Sequence, residues 1–374
     1  MQYYVTLTTE CNLRCKYCYE KCCKDIGVDL GGLEIDYSVP SSIRYDIAEL
    51  KRFCERDPDP TIVFYGGEPL LKTDLLEDIM HKVRVSKFMI QTNGILLHKL
   101  SSECFKRMDT ILVSVDGNED LTDYYRGKGV YNQVIRNLKR LREKGFAGET
   151  IARMTVGRET RIDQEVCHLL FCEDVFNSVH WQLDALFWHN DYDKEGFSEW
   201  IRTEYSPRVR NLISIWIKEM KDHGRVLRIY PLIGTMQSLL LNEPTRLRCG
   251  AGWTMFNIQT DGNITPCPVM AGMRDFYLGN IKQTNPEDLM SRAVHVSGPC
   301  TDCSICSICG GRCLYANVTK LWGQEGFELV CNTVHELVGA LKDAVPTIQQ
   351  LIAKQQISLE DFQYPKYNSC EIIP

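Results

Sequence analysis

Six short runs rich in β-branched and aromatic residues punctuate the first half of the chain: Tyr3 to Thr8, Thr61 to Tyr65, Lys87 to Thr92, Thr110 to Val115, Glu149 to Val156 and Ser178 to Ala185. Between them the apolar residues switch to a helical period, over Ser42 to Glu55, Asp74 to Val85, Tyr131 to Lys144 and Arg161 to Val175. Strands separated by helices run parallel, because the crossover helix carries the chain back to the end it started from. The pattern therefore predicts an α/β chain that opens with a partial barrel of the (β/α)6 type. Reactive residues of such a barrel gather at the C-terminal ends of its strands, where every βα loop opens.

The chemistry-bearing residues fall at those ends. Cys11, Cys15 and Cys18 follow the first strand as C-x3-C-x2-C, and Gly66-Gly67-Glu68-Pro69 follows the second. Gln91, Thr92 and Asn93 close the third, Ser114 and Asp116 close the fourth, Arg126 lies in Tyr125-Arg126-Gly127, and Arg153 sits on the fifth. Thiolates hold iron–sulfur clusters, four to a 4Fe–4S cube, so a compact set of three implies an iron with an exchangeable ligand. On a helix the three cysteines would share one apolar face, but Asn12, Arg14 and Lys16 between them mark a polar loop. Two glycines let a backbone approach a ligand closely, and the neighbouring carboxylate can accept hydrogen bonds from an ammonium. Taken alone, that tetrapeptide would equally be a tight turn, the strand-end polar residues ordinary caps, and the two arginines ion-pair partners.

Eighteen cysteines in 374 residues sharpen the reading. The N-terminus lacks the charged and apolar regions of a secretory signal. No apolar run is long enough to cross a membrane. A cytoplasmic protein is expected, and in a reducing cytosol so many thiols argue for metal rather than disulfides. A net charge of −6 gives no electrostatic reason to expect nucleic acid as partner.

From Arg248 onward the composition shifts. Eight cysteines lie between Cys249 and Cys331, with too little apolar material for an ordinary core, so bound metal must supply cohesion. The run Cys300-x2-Cys303-x5-Cys309-x3-Cys313-x17-Cys331 follows Cys249 and Cys267, and Asp261-Gly262 predicts a hairpin from Phe256 to Cys267 that would present Cys267 to a metal site. The C-x2-C pairs also suit zinc ribbons. Cys306 adds a ferredoxin-like alternative, Cys303-x2-Cys306-x2-Cys309-x3-Cys313. Cys22, Cys23, Cys54, Cys104, Cys167 and Cys172 lack ligand spacing and are read as core or surface thiols.

At these residues the chain resembles the radical S-adenosylmethionine (SAM) enzymes that carry a C-terminal SPASM extension, and within them an archaeal peptide-modifying branch; the match runs to the Cys370-Glu371-Ile372-Ile373-Pro374 ending. The resemblance implies a 4Fe–4S cluster on Cys11, Cys15 and Cys18, whose open iron chelates SAM and, once reduced, splits it to a 5′-deoxyadenosyl radical. It puts Tyr17 against the adenine, the Gly66 to Pro69 turn at the SAM amino group, and the strand-end residues Gln91, Thr92, Asn93, Ser114 and Asp116 at the ribose and methionine. Arg126 and Arg153 become partners of the SAM or substrate carboxylate. Cys300, Cys303, Cys309 and Cys331 would hold a distal auxiliary 4Fe–4S cluster. Cys249, Cys267 and Cys313 would hold a second one nearer the barrel, with its fourth iron open or taken by Cys306 or Cys370.

The implied reaction is hydrogen abstraction from a peptide or protein side chain, leading to a thioether, a carbon–carbon cross-link or an oxidised side chain, with an external donor such as ferredoxin or flavodoxin. Anaerobic sulfatase maturases resemble the chain as well, but carry an Asp where Pro268 stands, and a proline cannot act as a base. A non-catalytic carrier of three clusters would explain the cysteines but not the turn at Gly66 or the strand-end polar residues. With the first strand beginning at Tyr3, no leader-binding domain is expected ahead of it. Trp181, Asp184, Trp188 and His189 are candidate substrate-lining residues or an aromatic packing strip.

Four segments are expected: a barrel over 1–187, an aromatic-rich helical bridge over 188–245, the cysteine-rich domain over 246–335, and a helix and tail over 336–374. The stretch from Asp25 to Ser42 is either a lid or a long connection.

Overall fold

The computed structural model describes residues 1–18, 32–184, 194–320 and 322–366. Six strands alternate with helices as the apolar pattern requires: β1 (Gln2–Thr8), α1 (Ile47–Cys54), β2 (Thr61–Gly66), α2 (Thr73–Lys82), β3 (Lys87–Thr92), α3 (Ser102–Lys106), β4 (Met108–Ser114), α4 (Glu119–Arg126), α5 (Val130–Glu143), β5 (Glu149–Val156), α6 (Ile162–Phe171) and β6 (Ser178–Leu183). The chain divides into two compact units. One comprises Met1–Val115, Thr122–Ile151 and Gly250–His295, the other Asp116–Leu121, Ala152–Cys249 and Val296–Pro374.

In the first unit β1 pairs in parallel with β2, β2 with β3, and β3 with β4. The central strands are buried on both faces, as a parallel sheet covered by helices demands. Helix α1 starts cleanly because Asp46 accepts from the Ala48 N–H while Glu49 accepts from the Asp46 N–H, a capping box worth about 1 kcal/mol. On its other edge β1 pairs in parallel with β7 (Met255–Ile258), which turns through Asp261-Gly262 into antiparallel β8 (Asn263–Thr265) and then β9 (Gly279–Asn280). The hairpin lies where Asp261-Gly262 predicts it. Its attachment to β1 carries no local signal, since a period-2 pattern names a face and not a partner.

Residues 32–42 of the long connection are strapped to this part of the same unit. Arg274 pairs with Glu34 at 2.8 Å and with Asp36 at 3.3 Å, and Ile35 bridges to Met273. The preceding part, with Cys22 and Cys23, lies outside the described residues.

The second unit carries β5 beside β6 and a helical body. After α7 (Lys194–Trp200) and one π-helical turn over Ile201–Tyr205 come α8 (Ser206–His223) and α9 (Tyr230–Leu241). Short helices α10 (Pro286–Leu289, in the first unit), α11 (Cys306–Cys309) and α12 (Leu314–Thr319) precede α13 (Gly323–Ala353), which packs on α8 and α9. Helix α13 begins ten residues before the predicted start at Thr333, so Cys331 rides on a helix rather than in a loop.

Candidate active site

The cysteine loop leaves β1 at Thr8 and is fastened from three sides within the first unit. The turn after β2 takes the first fastening: the Gly67 N–H donates to the Thr8 carbonyl at 2.9 Å and the Glu68 N–H to the Glu10 carbonyl at 2.8 Å. This approach is what requires glycine. A Cβ on Gly66, whose φ is +148°, would stand 2.1 Å from the Thr8 oxygen, and one on Gly67 would stand 2.4 Å from the Glu10 oxygen. The third strand supplies the second fastening, as Asn93 Nδ2 donates to Asn12 Oδ1 at 2.8 Å and lies 3.8 Å from Cys11 Sγ. Helix α4 supplies the third, where the Tyr125 carbonyl accepts from the Lys16 N–H at 2.9 Å.

Glu68 holds two of these fastenings together. Fully buried, it accepts from the Leu70 N–H and the Thr92 hydroxyl on one oxygen and from the Asn93 N–H on the other, at 2.8–2.9 Å. Burial pushes its pKa up to about 7, against the pull of those three donors. The carboxylate thus ties the end of β2 to the end of β3 and aims Asn93 at the loop. Pro69 starts the short 3-10 turn Pro69–Lys72 that Glu68 caps.

Tyr17 is pinned by aromatic contact. Its ring centroid is 5.1 Å from that of Tyr125, and the Arg126 guanidinium lies 5.4 Å from its centre. Arg126 is buried and Lys16 lies over the Tyr124 ring at 3.1 Å. Cys11 is exposed while Cys15 and Cys18 are half-buried. Gln91 and Ser114 are half-buried at the ends of β3 and β4. The residues that the sequence offers from Cys11 to Ser114, together with Tyr17 and Arg126, therefore lie at one edge of the parallel sheet or on the loop fastened to it. Asn12, Tyr124 and Tyr125 complete the set without a motif of their own.

In the second unit Asp116 accepts from the Thr155 N–H at 3.0 Å, and Arg153 donates to Gln182 at 3.0 Å while its Nε is buried without a partner. Beside them His180 is fully buried and neither ring nitrogen has a partner; burial and the charge of Arg153 hold its pKa well below the usual value. Trp181 belongs to the core rather than to a substrate wall: it is fully buried and donates to the Tyr205 hydroxyl at 3.0 Å. Trp188 and His189 lie outside the described residues.

The cysteine-rich run of the second unit surrounds a cavity of about 290 Å³. Cys300, Cys303, Cys309 and Cys331 line it, and so do Cys306 and Cys313. Asn317 Nδ2 donates to the Cys300 sulfur at 3.4 Å, and His335 Nε2 is 3.5 Å from the Cys303 sulfur. Among the described residues no three His, Cys, Asp or Glu side chains converge on a point that could hold a single metal ion. The thiols instead ring a volume, which suits a many-atom cluster better than a tetrahedral zinc with sulfurs at about 2.3 Å. Cys249 is anchored to the same region, because Arg248 donates to the Ile308 and Gly234 carbonyls at 2.9 and 3.0 Å and the Leu247 N–H donates to the Gly310 carbonyl at 2.8 Å. Cys267, in the first unit, is buried at the end of the β7–β8 hairpin and caps the 3-10 turn Pro268–Met270. Cys54 and Cys104 are buried in their helices, Cys167 is half-buried and Cys172 exposed, as expected of thiols without ligand spacing. Cys370 lies outside the described residues.

A parallel α/β sheet with three cysteines on the loop after its first strand defines a class. The sequence pattern of the radical SAM superfamily matches residues 5–170. That of SPASM, an iron–sulfur cluster-binding domain, matches residues 249–313. The chain thus carries a radical SAM domain and a SPASM domain; it is an enzyme, and its cofactors are SAM and 4Fe–4S clusters.

It is 22% identical over 339 residues to a cysteine-type anaerobic sulfatase-maturating enzyme of Clostridium perfringens, a match spanning 81% of this chain and 85% of that one. Its fold is similar to that of anSMEcpe with bound AdoMet and a Cp18Cys peptide, with a TM-score of 0.71 at 16% identity over 95% of this chain and 99% of that one. It is also similar to Streptococcus suis SuiB bound to its precursor peptide SuiA, with a TM-score of 0.56 at 16% identity over 83% and 71%. Among the described residues no helix is long and apolar enough to cross a membrane.

Proposed function

We propose that the chain modifies a side chain of a peptide or protein by radical chemistry, with Cys11, Cys15 and Cys18 holding the SAM-binding cluster and the SPASM cysteines holding two auxiliary ones. The observation that carries this reading is the triple fastening of the Cys11 loop at the C-terminal edge of the sheet. It fixes the backbone while leaving Cys11 exposed, as a cluster that must meet a second ligand requires. With SAM bound, that cluster supplies the radical that abstracts hydrogen. The chain's own residues bind and orient. Asn93 steadies Asn12 and Cys11, Tyr17 offers an aromatic face held by Tyr125 and Arg126, and Gln91 and Ser114 present polar groups at the strand ends.

The peptides bound by anSMEcpe and SuiB support the substrate class. The external electron donor is a small redox protein of the ferredoxin or flavodoxin kind, and the enzyme works in the cytoplasm. A second reading, oxidation of a Ser or Cys as in sulfatase maturation, is favoured by the Clostridium relative. It is disfavoured by Pro268, which stands after Cys267 and has no side chain to take a proton.

The test is anaerobic incubation of the reconstituted enzyme with SAM, a reductant and short Cys- and Ser-containing peptides, read by mass spectrometry. The proposal expects a cross-link or thioether that survives reduction and alkylation. Exclusive oxidation of a single residue to the aldehyde, by loss of two hydrogens from Ser or by loss of two hydrogens and hydrolytic release of sulfide from Cys, would favour the second reading. SAM turnover without any peptide product would contradict both.

A further inference from the structure

Among the described residues, no carboxylate pairs with the cation in the cavity of the second unit. Arg312 lines it, and its Nε is buried without a hydrogen-bond partner. The other charged side chain in the lining, Glu328, is exposed. The backbone at Arg312 is left-handed, with φ +50°. There a non-glycine residue costs on the order of 1 kcal/mol and glycine does not. Glycine would therefore suit the backbone better, and the argument for arginine must come from its side chain.

That side chain shares its space with sulfur: Cys300, Cys303, Cys309 and Cys331 line the same cavity as Arg312. Four thiolates around a 4Fe–4S core leave a net negative charge that grows by one on reduction. Net charge, hydrogen bonds to sulfur and exposure are the protein's means of setting its potential. In a partly buried cavity an uncompensated guanidinium acts on the added electron with little screening.

We propose that Arg312 is the fixed counter-charge of the cluster held in this cavity, and that it raises the reduction potential of that cluster above the value the thiolates alone would give. Arg312 is then a positioning residue for electrons. The proposal rests on the reading that the cavity holds the distal auxiliary cluster.

The experiment uses the full chain carrying Cys11→Ala, Cys15→Ala and Cys18→Ala, so that only auxiliary clusters remain. Iron per chain is measured, and midpoint potentials are followed by EPR. Adding Cys300→Ala and Cys309→Ala identifies the signal of this cavity by removing it together with about four irons. Unchanged iron there would overturn the cluster reading, and the proposal with it. Arg312→Gly relieves the backbone and removes the charge. It should keep the iron and lower the potential of the identified signal, so that reduction is on the order of tenfold less favourable, about 59 mV for one electron. Arg312→Lys should recover part of the shift, and the other auxiliary signal should not move. Should Arg312→Gly lose iron, Arg312→Gln, which retains a donor without the charge, carries the measurement. An identified signal whose potential is unchanged in a charge-free variant that keeps its iron would overturn the proposal.

Discussion

The Cys11 loop and the cavity of the second unit both carry clustered thiols, but they are built in opposite ways. The loop has three cysteines, and its rigidity is borrowed from elsewhere: from the Gly66-Gly67 turn, from Asn93 and from the Tyr125 carbonyl. Its first cysteine, Cys11, is exposed. The cavity has six cysteines in its lining, drawn from a tight run and a long helix, with Asn317, His335 and Arg312 beside their sulfurs. The loop is held from behind with Cys11 exposed, whereas the cavity is lined by more thiols than one cluster needs.

Iron content breaks or sharpens that contrast most strongly. Reconstituted protein should hold about twelve irons per chain, and Cys11→Ala, Cys15→Ala and Cys18→Ala together should remove about a third. Stoichiometric zinc with four or fewer irons would dissolve the contrast, because the second unit would then be a zinc structure. Next comes Asn93→Ala, which severs the contacts to Asn12 and Cys11. By the usual cost of losing an outer partner of a cluster ligand, it should lower SAM cleavage by 10- to 100-fold, leaving the auxiliary irons in place. Equal loss of iron from both regions would mean that the loop is not independently held.

Glu68 provides a smaller, pH-dependent effect. Its folded pKa, about 7, lies above the ordinary carboxylate value, so the stability it contributes is fully present below that ordinary value and is lost as pH rises through 7. Denaturant unfolding of the wild type should therefore show a decline of up to a few kcal/mol between pH 5 and 8. Glu68→Gln, which cannot accept from all three donors, should start about 1–3 kcal/mol lower and show a flatter pH profile. Identical profiles would mean that the burial of Glu68 does not govern the turn. A comparable loss is expected at Asn317, where Ala removes the donor to Cys300 together with both bonds to the Ser297 backbone. About 1–3 kcal/mol should be lost, with auxiliary iron released faster in chelator.

The parallel order of the first four strands was legible because apolar period and strand-end motifs agree at each βα junction. β3 and β5 match their predicted bounds, and Cys11, Gly66, Gln91 and Ser114 fall at the ends of successive parallel strands. The glycines at 66 and 67 were legible as a close approach, but the partner that approaches is the chain's own Thr8–Glu10 backbone. Asn12, Tyr125 and Arg312 were not legible, since each acts through a neighbour that only folding brings near. The parallel pairing of β7 with β1 was hidden for the same reason: some 250 residues separate the partners, and nothing local in either strand names the other.

The central claim is that the three cysteines of the loop hold the cluster at which SAM is cleaved. The direct measurement is 5′-deoxyadenosine formed from SAM under strong reductant in an anaerobic chamber, quantified for the wild type and for the Cys11→Ala, Cys15→Ala, Cys18→Ala variant. The account predicts product from the wild type even without peptide, and none from the variant, which should still retain its auxiliary irons. Product from the variant at the wild-type rate would contradict it.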